Sequence, residues 1–186
     1  MANFLEYWPR LVENEGYWAN VEGDNGGCTW MGIAQNSYPN WAGWAIIEAA
    51  APNYKSMTSS QINPILKPNT QLLSLVQSFY KHSQWDVVLG DQIANQSIAD
   101  SYVDWCVNAG FSTPTKHLQT ILGVTADGQF GPHTLAALNA ADQQSVFNAM
   151  LQARITFYQT LAQEHANDVQ FLHQWLQRAN SFTYSA

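Results

Sequence analysis

Residues 13–30, ENEGYWANVEGDNGGCTW, hold four carboxylates and four glycines in eighteen positions. Acids crowded onto a tight, glycine-rich turn suit acid–base chemistry. Two carboxyl groups flanking a groove are what cleavage of a glycosidic bond requires: one protonates the leaving oxygen, and the other activates water or attacks the sugar. Placing the preceding segment on a helical wheel at about 100° per residue, with Leu5 as origin, gathers Trp8, Leu11 and Val12 into an arc of roughly 120° that also contains Glu15. Glu6 and Glu13 project to the other side, and Glu22 falls on a loop surface. A carboxyl on the apolar face is costly to ionise, so Glu15 is expected to hold its proton near neutral pH and to donate it. The plainer alternative is that Glu15 accepts hydrogen bonds from the turn opened by Gly16.

Asp24 follows in GDNGG, where aspartate ordinarily organises a turn. Folded back over the end of the helix, it would instead face Glu15 across a groove as the second carboxylate. Thr29, on the returning limb, either orients a water or sugar hydroxyl or is simply a strand residue.

These residues must be positioned by helices. Residues 4–15 read as a helix that Pro9 begins or kinks, and 16–34 as a turn or small hairpin. Helical periods follow over 41–51, after Ser59, and over 71–82, 98–109, 113–122, 132–139, 144–166 and 168–178. The fold class is therefore mostly α, a helical globule with a small β-hairpin near the N-terminus. In the 98–109 helix, Ile98, Tyr102, Trp105, Cys106 and Ala109 form the apolar stripe. Asp104 and Asn108, four apart, make a polar edge that binds sugar hydroxyl and acetamido groups if it faces a cleft, and only water if it does not.

Composition narrows the partners. Seven basic against fourteen acidic side chains, a net charge of −7, argue against a nucleic-acid binder, which needs Lys and Arg to neutralise phosphates, and against adhesion to an anionic membrane surface. No stretch approaches the roughly 18 apolar residues of a membrane span, so no membrane insertion is expected. Aromatic residues at 13% beside only 11% charged ones suit a neutral, hydroxyl-rich ligand, although aromatics also build cores. Of the early tryptophans, 8, 18, 30, 41 and 44, most are expected in the core and one or two on sugar rings. Cys28 and Cys106 lack CxxC spacing and are read as free thiols; the five histidines show no HExxH pattern, so neither metal nor cofactor is implied.

The run from Glu15 to Ile33 resembles the signature of a family of bacterial and phage N-acetylmuramidases with a lysozyme-like fold, roughly EGGYVNDPxDPGGxTxxGI. Without a gap, Glu15 falls on the leading glutamate, Gly16 on the next glycine, Asn20 on the asparagine and Asp24 on the second aspartate. Gly26 and Gly27 fall on the glycine pair, Thr29 on the threonine, and Gly32 with Ile33 on the closing pair. Two departures stand out: Tyr17 replaces the second glycine, and Cys28 occupies a place often held by glutamate. WDVVLGDQIANQSIADSYVDWCVNAG is similar to the family's central stretch, HLQTILGVTADGQFGPHTLAAL to its C-terminal peptidoglycan-binding segment, and ARITFYQTL and FLHQWLQRA to its closing helices. The resemblance covers about 8–34 and 85–178.

The resemblance implies a catalytic region over 1–110 and a helical C-terminal region over 111–186 packed into the same globule. It implies Glu15 as general acid, Asp24 as partner carboxylate, and Asn20, Thr29, Asp104 and Asn108 as substrate contacts. The implied substrate is the glycan strand of peptidoglycan, cut between N-acetylmuramic acid and N-acetylglucosamine. In ADGQFGPHT, Asp127–Gly128 reads as a turn and Pro132 as a helix start, with His133 or Phe130 as wall contacts in the functional reading. Alternatives are a wall-binding or secretion-assisting protein without turnover, for which Tyr17 and Cys28 are the motive, and a lytic transglycosylase using the same acid. The N-terminal MANFLEYWPRL carries no signal-peptide pattern, so the chain is expected to reach the wall by release or by another export system.

Overall fold

A computed structural model describes residues 1–20, 26–165 and 168–186. The described chain is mostly α with one small antiparallel sheet. It divides into two compact units, Trp8–His82 and Met1–Tyr7 with Ser83–Ala186. In this partition residues 83–110 group with the C-terminal helices.

Helix α1 (Phe4–Glu15) is capped by the Asn3 side chain, which accepts from the Leu5 N–H at 2.9 Å, and carries Pro9 within it. Its buried stripe is Phe4, Tyr7 and Leu11, at the Leu11 edge of the expected arc: Leu5, at the opposite edge, is 61% exposed, while Trp8, Val12 and Glu15, between them, are half-buried. The aromatic residues at 4 and 7 move the apolar centre toward Leu11 by about 60°, less than one residue step.

In the first unit, β1 (Trp18–Ala19), β2 (Thr29–Trp30) and β3 (Ile33–Ala34) form a sheet in that order, with Trp18 opposite Trp30 and Trp30 opposite Ile33. The expected hairpin is thus extended by a third strand. The added turn is Met31–Gly32, with φ of 46° and 78°, the pair of positive angles of a type I′ hairpin turn. Methionine rarely adopts such a φ, so its residue type does not signal the turn. Helices α2 (Gly43–Ala50), α3 (Ser59–Leu66) and α4 (Thr70–Tyr80) complete the unit. Thr58 and Gln61 form a capping box on α3, and the Asn69 side chain caps α4 through Leu72 N–H at 2.9 Å. Trp18, Trp30 and Trp44 are buried in this unit, whereas Trp8 and Trp41 are half-buried.

In the second unit, α5 (Gln96–Ala109) is buried over most of its circumference from Ile98 to Cys106. Around it stand α6 (Ser112–Leu122), α7 (Pro132–Ala140), α8 (Gln143–Glu164) and α9 (Val169–Asn180). Gly123, at φ 68°, ends α6; Pro132 occupies the first turn of α7; Asp142 caps α8 through Ser145 N–H at 2.8 Å.

Candidate active site

Glu15 is the last residue of α1, and Gly16, at φ 67°, turns the chain away immediately after it. The side chain is half-buried. It reaches the Met31–Gly32 turn, where a Cβ on Gly32 would collide with both the Glu15 Oε2 and the Tyr80 hydroxyl. Only glycine allows the backbone this close, and φ 78° independently disfavours a side chain. Tyr80 reaches the same point from the end of α4, itself buried to 3% exposure, and donates its hydroxyl proton to the Met31 carbonyl at 2.7 Å. That bond also restrains the unusual φ of Met31. The Met31 N–H in turn donates to the Tyr17 carbonyl at 3.0 Å, tying the turn to the segment that leaves Glu15. Helix α1, the β2–β3 turn and α4 therefore converge on one carboxyl group.

Tyr80 and the close approach of Gly32 are the parts that sequence reasoning missed. Tyr80 reads as one of the apolar residues Leu72, Leu73, Val76 and Tyr80 at helical spacing over 71–82. The available signal was its hydroxyl, since a buried tyrosine seldom goes without a hydrogen-bond partner.

Asp24 falls within 21–25, outside the described residues. Asn20 is exposed, and its side-chain amide donates to the Lys55 carbonyl at 2.7 Å, fastening the end of β1 to the following loop. Thr29 is half-buried on β2, with its hydroxyl 3.5 Å from the Gly27 carbonyl. Neither bond involves Glu15.

Asp104 and Asn108 belong to the other compact unit. Asp104 is 0% exposed and makes two ion pairs, with Arg154 of α8 at 2.7 Å and Arg178 of α9 at 2.8 Å. Asn108 accepts from Arg154 at 3.1 Å and from the Tyr158 hydroxyl at 3.5 Å. The polar edge inferred from the sequence is therefore corrected: at Asp104 it faces two arginines inside the fold, and both oxygens of its carboxylate are engaged by them. It holds α5, α8 and α9 together.

Around ADGQFGPHT, Gln119 binds the Asp127 carboxylate at 2.8 Å and the Gln129 carbonyl at 3.1 Å, and its own oxygen accepts from Gly128 N–H at 2.9 Å. The Gln129 N–H, donating to Asp127 at 2.9 Å, and then the Gln119 amide hold the Asp127 carboxyl below the usual carboxylate range. Exposed His133 borders a cleft of about 670 Å³, whereas half-buried Phe130 packs on Tyr102 with ring centroids 5.3 Å apart.

Both cysteines are free and buried. Burial pushes the Cys106 thiol up to about 12, and it also raises Cys28, against the opposing charge of Lys55. Neither thiol is activated as a nucleophile. Among the described residues, no three His, Cys, Asp or Glu side chains come together as a metal site.

A solved structure titled "Structure of Brucella abortus SagA" matches 98% of this chain and 97% of its own, at 22% identity and a TM-score of 0.59, which shows a shared fold. No curated protein sequence matches the chain. Residues 113–180 match the family described as "Predicted Peptidoglycan domain". Residues 8–110, more than half of the sequence and the part that contains Glu15, Gly32 and Tyr80, match the family described as Glycosyl hydrolase 108. The chain belongs to the glycosyl hydrolase 108 family.

Proposed function

We propose that this glycosyl hydrolase is an N-acetylmuramidase that cleaves the β-1,4 bond between N-acetylmuramic acid and N-acetylglucosamine in peptidoglycan, with Glu15 as general acid. The observation that carries the reading is the convergence of α1, the Met31–Gly32 turn and Tyr80 on the Glu15 carboxyl. A general acid must be held at a defined point relative to the leaving oxygen, since misplacement by about 1 Å costs on the order of 100-fold in rate. The Tyr80 proton is committed to the Met31 carbonyl, so its oxygen can offer only lone pairs to a neighbour, a surrounding suited to a carboxyl that carries its proton.

In this reading Glu15 transfers its proton to the glycosidic oxygen as the bond breaks through an oxocarbenium-like transition state. Asp24 supplies the second carboxylate, by activating water or by attacking the sugar. The resemblance over 15–33 and the match of 113–180 to a predicted peptidoglycan domain support peptidoglycan as the substrate. Digestion of purified peptidoglycan followed by mass spectrometry tests the assignment. Products ending in a hydrated, reducing N-acetylmuramic acid support it; anhydro-muramoyl ends would make the chain a lytic transglycosylase, and binding to walls without soluble products would make it a wall-binding protein.

A further inference from the structure

Beside the candidate acid lies a second feature that the hydrolytic reading does not use. A pocket of about 220 Å³ is bordered by Trp8 of α1, Tyr17, Lys67 and, from α4, Ser74 and Gln77. Trp8 lies on the same margin of α1 as Glu15. Tyr17 is bonded through its carbonyl to the turn that receives Glu15. Gln77 stands one helical turn before Tyr80.

Lys67 is the cation of this pocket. It follows α3, whose position is fixed by Asn63 accepting from the Trp18 N–H at 3.2 Å and by the Ser59 hydroxyl donating to the Trp18 carbonyl at 2.8 Å. Its ammonium sits 3.7 Å from the centre of the Tyr17 ring. In a chain with twice as many acidic as basic side chains, this ammonium has no carboxylate partner among the described residues. The ring beneath it belongs to Tyr17, the residue standing where the muramidase signature has glycine.

We infer that this pocket is a subsite for a carboxylate-bearing substituent of the glycan, with the Lys67 ammonium as its counter-ion. Tyr17 and Trp8 wall the carbon skeleton of the substituent, and Ser74 and Gln77 take its hydroxyl or amide groups. An ammonium already held over an aromatic face has lost part of its freedom before the ligand arrives, which lowers the cost of ordering it on binding. The volume fits a substituent rather than a whole oligosaccharide. The identity of the glycan rests on the muramidase reading; the carboxylate can be the lactyl group of a peptide-free muramic acid or an acid of the attached peptide.

Calorimetric titration of the Glu15→Gln full chain, which removes turnover from the measurement, tests this with four probes. They are soluble peptide-free muramic acid–glucosamine oligomers, the same oligomers with their peptides, and both sets with every carboxyl converted to an amide. A charge-assisted contact predicts that amidation weakens binding about tenfold, that Lys67→Met in the same background erases the difference, and that Lys67→Arg retains most of it. Loss confined to the peptide-free oligomers assigns the lactyl carboxylate, and loss confined to the peptide-bearing ones assigns the peptide. Equal affinity for acid and amide probes, an unchanged ratio in Lys67→Met, or no binding of any probe would overturn the subsite. Glycan cleavage by the unsubstituted chain, followed in parallel, separates the two readings. Charge-blind binding with intact cleavage removes only the subsite, whereas charge-dependent binding without cleavage removes only the muramidase.

Discussion

Replacing Gly32 with alanine isolates the contact that positions the proposed acid. At φ 78° an alanine is held in the left-handed region, which costs about 1–2 kcal/mol. For a chain of this size, that corresponds to a fall in Tm of roughly 2–8 °C. The added methyl also occupies space used by the Glu15 carboxyl and the Tyr80 hydroxyl. Tyr80 is fixed by its bond to Met31, so the displacement falls on Glu15 or on the turn that supports it. A shift on the order of 1 Å at a proton donor predicts about a 100-fold loss of kcat, equivalent to about 2.7 kcal/mol of transition-state stabilisation. The matched control is Gly123→Ala, also at positive φ, 68°, but with nothing within 4 Å of the added methyl. Both variants are expected to lose thermal stability, measured by circular dichroism, with Gly32→Ala losing more because of the added collision. Only Gly32→Ala is expected to lose hydrolysis of soluble glycan oligomers per folded molecule. Full activity in Gly32→Ala, or equal loss in the two, would refute the positioning argument.

Two further predictions concern the helical unit. Asp104→Ala strands Arg154 in the interior and is expected to destabilise the fold by about 3–5 kcal/mol in urea titration, with kcat per folded molecule largely kept because the residue serves packing. The Cys106 thiol, raised from 9.0 to about 12, keeps its proton in the folded state at pH values where the unfolded chain has lost it. Its contribution to stability is therefore complete below pH 9 and falls by about 1.4 kcal/mol per unit as pH rises toward 12, with buried Tyr102 adding to the loss. Urea midpoints at pH 8 and pH 10.5 should show this decline, made shallower by Cys106→Ala; identical slopes would contradict it.

Periodicity was informative where one face of a helix meets the core and the ends carry caps. The segments 113–122, 132–139 and 144–166 correspond to α6, α7 and α8 within two residues, because Gly123, Pro132 and Asp142 mark their limits. Periodicity misled at α5, where burial on nearly all sides leaves no solvent face for Asp104 to occupy. The compensating charges lie 50 and 74 residues away, on helices where an arginine reads as a surface residue. At the candidate site, the place of Glu15 at the end of α1, on the margin of its apolar face, was legible from the spacing. The aromatic residues Phe4 and Tyr7 nevertheless shifted the buried face, leaving Glu15 half-buried at its edge. Tyr80 was not legible as a neighbour of Glu15, since local spacing carries no information on which strand turn a distant helix end will meet. The positive φ of Met31 was hidden for a related reason: its hydrogen bond to Tyr80, a tertiary contact, helps to hold it.

The central claim is that one proton leaves Glu15 for the glycosidic oxygen. Glu15→Gln keeps the size and most of the hydrogen bonding of the side chain but cannot act as a carboxylic acid. Release of reducing ends from purified peptidoglycan should fall by at least about 100-fold, the usual contribution of a general acid, while Tm and binding of glycan fragments stay close to those of the unsubstituted chain. A folded Glu15→Gln protein that still releases reducing ends at the original rate would contradict the account.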